Sequence, residues 1–255
     1  MASPIFKPHS RGGAWPVVIA WLGVVLLVVA GVLMAGSGTA YRWDWVALGT
    51  SFSMLRQGAH IAVAAGAVGL VAVIVAAFCR RPRPLLTGLI TSTAVVAMLA
   101  LPAHMMQRAQ TVPPIHDITT DLENPPTFEA LAEARDAAPN AVAYPQGFAD
   151  QQQAAYGRLS AIHLSLSMED AMAAVEATVE AQGWEIAAVS DSKLEATATT
   201  RWFGFKDDVV IRLTEKGDGV RVDMRSASRI GQSDLGTNAA RIQDFLMALH
   251  ERAAQ

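Results

Sequence analysis

Three runs without a charged side chain, residues 14–36, 59–79 and 85–103, constrain this chain more than anything else in it. Crossing the hydrocarbon core of a bilayer takes roughly 20 apolar residues in a helix, which the first two runs supply and the third, more polar, nearly does. In lipid such a run must be helical, because no other local structure satisfies its own backbone groups. Residues 1–103 are therefore expected to form a three-helix transmembrane anchor, with the lipid bilayer as its partner. Residues 34–40 place small side chains after an apolar run, as a signal-peptide cleavage site does. The first run is long for that role, however, and two more follow it.

Charge divides the chain at the same place. Residues 1–103 hold one acid, Asp44, and seven Lys or Arg; residues 104–255 hold 22 acids and 13 Lys or Arg, a net charge of −9. An acidic soluble half excludes a nucleic-acid partner, since phosphate neutralisation needs clustered cations. The short basic segments set the expected orientation. Lys7, Arg11, Arg80, Arg81 and Arg83 fall on one side of the spans, and Arg42 and Arg56 on the other. Five against two predicts a cytoplasmic N-terminus in the inner membrane and, after three spans, an extracytoplasmic (periplasmic) C-terminal half. Tyr41, Trp43 and Trp45 suit the outer interface.

Helix 59–79 carries Ala62-x-x-x-Gly66 and Ala65-x-x-x-Gly69, spacings that allow close helix approach. They fit packing within the anchor, or a homodimer through this helix. Cys79 is the only cysteine, so neither a disulfide within the chain nor a cysteine metal site is available. His60 and His104 lie near the predicted outer face, where solvation explains them better than a haem. No cofactor or metal is implied.

Residues 104–158 read as a tether. Prolines 113, 114, 125, 126, 139 and 145 interrupt it, 128–137 has the texture of a short helix, and Ile115, Ile118, Leu122 and Phe128 are apolar handles for lying on the domain that follows. His116, Asp117, Asp121 and Glu123 are rich in oxygen ligands but match no calcium-loop spacing.

Residues 159–255 alternate between periods. Ile162, Leu164 and Leu166 read as a strand; Ser167 caps a helix with Met168, Met172, Val175 and Val179 on its inner stripe, ended by Gly183. Trp184, Ile186 and Ala188, then Leu194, Ala196 and Ala198, then Val209, Ile211 and Leu213, then Val220, Val222 and Met224 are four further strands, the last two joined by the turn Lys216-Gly-Asp-Gly219. A final helix, capped by Ser233 or Asp234, buries Ile242, Phe245, Leu246 and Leu249. The predicted fold is α+β: a β-α-β-β-β-β-α antiparallel-sheet domain with both helices on one face. The opposite face carries Glu195, Thr197, Thr199, Arg201, Asp208, Arg212, Arg221, Asp223 and Arg225. It is either solvated or covered by the tether, a partner or a ligand.

Asp207 and Asp208 are neighbours on a strand, so they face opposite ways and cannot form an acid–base dyad. The denser candidate is Arg225-Ser226-Ala-Ser228-Arg229, followed by Ser233, Asp234, Asn238 and Arg241. Arginines at a strand end that meets a helix start can hold a small anionic ligand, and the same residues can instead cap the helix and pin the loop. His116, Asp117 and Asp207 complete the candidate set. No phosphate-binding loop, nucleophile elbow or zinc-protease motif is present, and no histidine neighbours the serines.

The stretches P-P-I-H-D-I-T-T-D (113–121), E-A-T-A-T-T-R-W-F-G-F-K-D-D-V-V-I-R (195–212) and R-S-A-S-R-I-G-Q-S-D-L-G-T-N-A-A-R-I (225–242) together resemble the DUF1499 family, a domain of unknown function in bacterial membrane and envelope proteins and plastid relatives. The resemblance covers about residues 105–250. It implies that the tether motif belongs to the domain, and that Phe205, Asp207, Asp208, Arg225, Ser226, Ser228, Arg229, Ser233, Asp234, Asn238 and Arg241 sit at family motif positions. It implies no activity. Two functions stay open: a membrane-anchored envelope protein that binds a protein partner or small anionic ligand, and an enzyme on an envelope substrate using Asp207, Asp234 or His116 as acid or base.

Overall fold

The computed structural model describes residues 11–254, so Lys7, one of the orienting charges, lies outside the described residues. The chain divides into two compact units, residues 1–104 and 105–255.

Three helices are long and apolar enough to cross a membrane, α1 (Trp15–Arg42), α2 (Leu48–Phe78) and α3 (Pro82–Thr111), and the first unit is built from α1, α2 and residues 82–104 of α3. Each outruns its predicted span, because hydropathy marks the lipid-compatible stretch while a helix continues until its backbone is interrupted. Arg56, read as a loop residue, is inside α2. Pro82 and Pro84, read as part of the hairpin, open α3, where a missing N–H costs nothing. The small residues of α2 face its own neighbours. Ala62 and Ala65 are fully buried beside Ala30 and Val95, and a Cβ at Gly66 would meet Val95 at 3.3 Å.

The second unit is α+β. Its elements are β1 (Asp117–Thr119), α4 (Ala132–Asp136), α5 (Phe148–Tyr156), β2 (Ile162–Leu164), α6 (Met168–Ala181), β3 (Glu185–Val189), β4 (Lys193–Thr199), β5 (Lys206–Lys216), β6 (Gly219–Ser228) and α7 (Thr237–Ala253). From β2 onward the order is β-α-β-β-β-β-α. The antiparallel sheet runs β1-β6-β5-β4-β3, with β2 also paired to β6. Ser167 accepts the Asp170 N–H at 3.1 Å and starts α6, and Gly217, at φ 66°, turns the β5–β6 hairpin. The alternating apolar residues of β4, β5 and β6 meet Val175 and Val179 of α6 and Ile242, Phe245 and Leu249 of α7 in one core.

Three elements depart from the sequence reading. The tether contributes a strand, β1, whose register Asp117↔Ala227 to Thr119↔Arg225 extends the sheet, and a helix, α5. Strand 159–166 shrinks to three residues. The sheet's second face is covered by the tether, with Phe128, Leu131 and Val142 against Val210 and Ala227.

Candidate functional site

Strand parity decides where every candidate residue goes. Along β6, residues 223, 225 and 227 face the tether and residues 224, 226 and 228 face the helices. The R-S-A-S-R sequence is therefore split by the sheet, and Arg225 and Arg229 do not converge with Arg241.

On the tether face the Arg225 guanidinium grips both oxygens of Asp117, at 2.9 and 2.7 Å, and donates to the carbonyls of Pro126 (3.1 Å) and Val142 (2.8 Å). Arg225 is 1% exposed and Asp117 fully buried. Asp208 takes two guanidinium groups: Arg229 through two bonds of 2.8 Å, and Arg135 at 3.1 Å. The Phe128 ring lies between Arg135 and Arg225, with guanidinium carbons 4.7 and 4.8 Å from its centroid. Glu195 accepts the backbone N–H groups of Glu129, Ala130 and Leu131 at 2.8–3.2 Å, just ahead of α4. Further along, Arg212 and Arg221 bridge Asp121 and Asp223. Four carboxylates thus answer five arginines while Glu195 answers backbone N–H groups, so the tether is clamped by a dense polar network.

On the helix face Asp207 accepts from Arg241 at 2.6 Å. Arg241 also donates to Ser226 Oγ (2.9 Å) and to Asn238 Oδ1. Ser226 donates to Asn238 Oδ1 at 2.7 Å, and the Asn238 amide donates to Ser228 Oγ and the His116 carbonyl, each at 3.0 Å. Asp234 accepts the N–H groups of Gly236 and Asn238, both at 2.8 Å, and so caps α7 from three residues ahead of its first turn. Ser233 accepts only the N–H of Leu235, at 3.2 Å. His116 contributes its carbonyl and not its ring, which stands edge-on to Phe148 at 5.0 Å with Nδ1 buried and unpartnered.

Burial sets the titration behaviour. It holds the His116 imidazole below its usual pKa, with Arg135 acting in the same direction and Asp117 against it. It pushes the Asp117 carboxyl up, against the pull of Arg225, and the Asp234 carboxyl up, against its two backbone donors. The Arg229 guanidinium is raised by its bonds to Asp208. Chemically these are held charges. The Ser226 hydroxyl touches an amide and a guanidinium, where a nucleophile needs a base.

The DUF1499 family model, described as a protein of unknown function, matches residues 117–249, more than half of the chain. The chain belongs to the DUF1499 family. The family region opens on Asp117 itself and closes on Leu249, so it contains both partners of every ion pair in the two clusters. No curated protein matches the chain.

Sequence reasoning missed two residues of the DUF1499 region. Arg135, fully buried, sits in an alanine-rich stretch with no cue to long-range contact. Gln152 is one of three consecutive glutamines, and its amide pairs with both backbone groups of Thr119 (3.0 and 2.6 Å). It also missed a groove of about 990 Å³ between residues 153–162 and α7, lined by Tyr156, Leu159, Ile162, Leu246 and Met247 together with Gln153, Gln243 and His250. None of the predicted site residues lines it. Among the described residues no cluster of His, Cys, Asp and Glu could hold a metal ion.

Proposed function

We propose that this chain is a membrane-anchored binding protein with no catalytic step of its own. In this reading residues 1–103 anchor it in the inner membrane with the N-terminus cytoplasmic, and residues 104–255 act outside the cytoplasm on a protein partner. The excess of Lys and Arg in the N-terminal and 80–83 segments supports the orientation. One observation carries the binding role: the carboxylates that could serve as acid or base are already bonded within the chain, Asp117 to Arg225, Asp207 to Arg241, Asp208 to Arg135 and Arg229, and Asp234 to the start of α7. A general acid or base must be within reach of a substrate proton, and these face their own partners. The groove beside α7 is a concave surface open to contact.

A small anionic ligand is the second reading. Arg229 and Arg241 favour it, since their side chains keep 18% and 11% exposure while Arg225 keeps 2%.

A C-terminal alkaline phosphatase fusion is expected to be active in cells, and an inactive fusion overturns the orientation. Gentle solubilisation followed by native mass spectrometry of the full chain is expected to retain a protein, or an anion lost in Arg241→Ala. A chain recovered bare overturns the binding role.

A further inference from the structure

The edges of the sheet are treated in three different ways. At β1 the Gln152 side chain takes both main-chain groups of Thr119 and is itself held by the Tyr144 hydroxyl at 3.2 Å, so an amide already occupies that edge. At the far edge, β3 is broken by an irregularity between Ile186 and Ala188, a device that blunts pairing. β2 continues the edge that β1 begins, pairing to β6 from Ile162↔Val222 to Leu164↔Val220. Among the described residues no strand pairs with its other side.

The groove lies beside this open edge. Leu159, Ser160 and Ile162 line it from the β2 side, and Leu246 and Met247 line it from α7. Its volume of about 990 Å³ is at the upper end of the roughly 300–1,000 Å³ of ligand sites. We infer that the groove receives an extended peptide segment of a partner protein, added as a strand along β2, with alternate side chains seated between the β2 side and α7. This rests on the binding role proposed above and names the partner's chemistry.

The class of occupant follows from the edge itself, since among the described residues β2 has a strand on one side only. A row of N–H and C=O groups at strand spacing is matched by another peptide backbone, and neither an acyl chain nor a single anion presents that alternation. Gln152 shows the adjoining stretch of the same edge satisfied by an amide. The apolar walls then select the side chains that fall on one face of the added strand, at a period of two.

The test uses the full chain in detergent micelles and a phage-displayed library of random peptides about ten residues long, enough for a strand. Enriched peptides are expected to alternate apolar and polar residues and to slow amide exchange at residues 160–164. They are expected to bind Met247→Asp about tenfold or more weakly, as loss of an apolar anchor does. Met247 is 51% exposed, so the variant keeps its fold. Val189→Asp, at the far edge and 44% exposed, is expected to leave binding unchanged. No enrichment, equal binding to Met247→Asp, unslowed exchange at 160–164, or peptides patterned at helical spacing overturns the inference. If it falls while the solubilised chain still retains a protein, the binding role stands and the groove is not its surface. A chain that also comes out bare overturns both.

Discussion

Asp117, the first residue of β1, and Arg225, on the neighbouring strand β6, form a two-bond ion pair with both side chains buried, and this pair fixes the tether to the sheet. A buried pair is weak evidence of net stability, because desolvation offsets its attraction, but breaking it leaves a lone buried charge. Arg225→Met and Asp117→Asn are each expected to destabilise the second unit by about 3–5 kcal/mol. The double variant should lose less than the sum. Denaturant unfolding of the solubilised chain, with amide exchange at residues 117–147, measures both quantities; single variants within about 0.5 kcal/mol of wild type would show that the pair does not hold the tether.

Asp207 and Asp208 make a second, independent test, because adjacent residues serve opposite faces of the sheet. Arg241→Ala acts on the helix face and Arg229→Ala on the tether face, with no shared partner. Their effects on stability should add to within about 0.5 kcal/mol. Asp207→Asn with Arg241→Ala, in contrast, should couple by about 0.5–3 kcal/mol. Asp208→Asn should cost more than Asp207→Asn, since it strands two guanidinium groups and not one. Additivity failing across the sheet would mean that the clusters communicate through the backbone of β5.

What could be read in the sequence was whatever repeats. Period two placed Val209, Ile211 and Leu213 inward and separated Asp207 from Asp208; period 3.6 placed Ile242, Phe245 and Leu249 in the core. Uninterrupted hydropathy located the three helices, though not their ends. Partners of the tether were hidden because they repeat nothing. Arg135 reaches Asp208, 73 residues away in sequence, from a five-residue helix. Gln152 imitates a strand with a side chain. The polar sheet face left both a solvated and a covered reading open for a related reason: charge alone does not reveal that Asp117, Asp121 and Arg135 of the tether will lie on it. The crowding of arginines between 225 and 241 suggested one site, and the sheet passing between them makes it two.

His116 predicts a pH dependence. Burial lowers its pKa in the folded state below the ordinary 6.5, so the unfolded chain takes up the proton first. Stability from this group is complete above about pH 6.5 and is lost as pH falls towards the lowered folded value. Asp117 and Asp234 have raised folded pKa values, so they act with the opposite sign: each adds stability as pH falls below its folded value. The His116 contribution should therefore be lost as pH falls below about 6.5, so wild type loses more stability there than His116→Gln. Identical slopes in the two proteins would place the titration elsewhere.

In the first unit the decisive contact is between glycines. A Cβ at Gly88 of α3 would stand 2.6 Å from the Gly69 carbonyl oxygen of α2 and 2.9 Å from a Val73 methyl group, whereas one at Gly36 of α1 meets nothing within 4 Å. Backbone cannot retreat as a side-chain tip can, so Gly88→Ala must force α2 and α3 apart, while Gly36→Ala should be silent or slightly stabilising through helix propensity. Small-residue contacts of this kind matter more in lipid than in water, where apolar burial would add a second force between the helices. Cys79, the lone cysteine, ends α2 half-buried, its sulfur against Gly12 just ahead of α1, so its labelling follows loosening of the three-helix unit as a whole. In maleimide labelling of the solubilised chain during a thermal ramp, Gly88→Ala should expose the thiol several degrees earlier than wild type, about 1–3 kcal/mol of overpacking, and Gly36→Ala should follow the wild-type curve. If both variants label alike, the helices do not touch at Gly69 and Gly88.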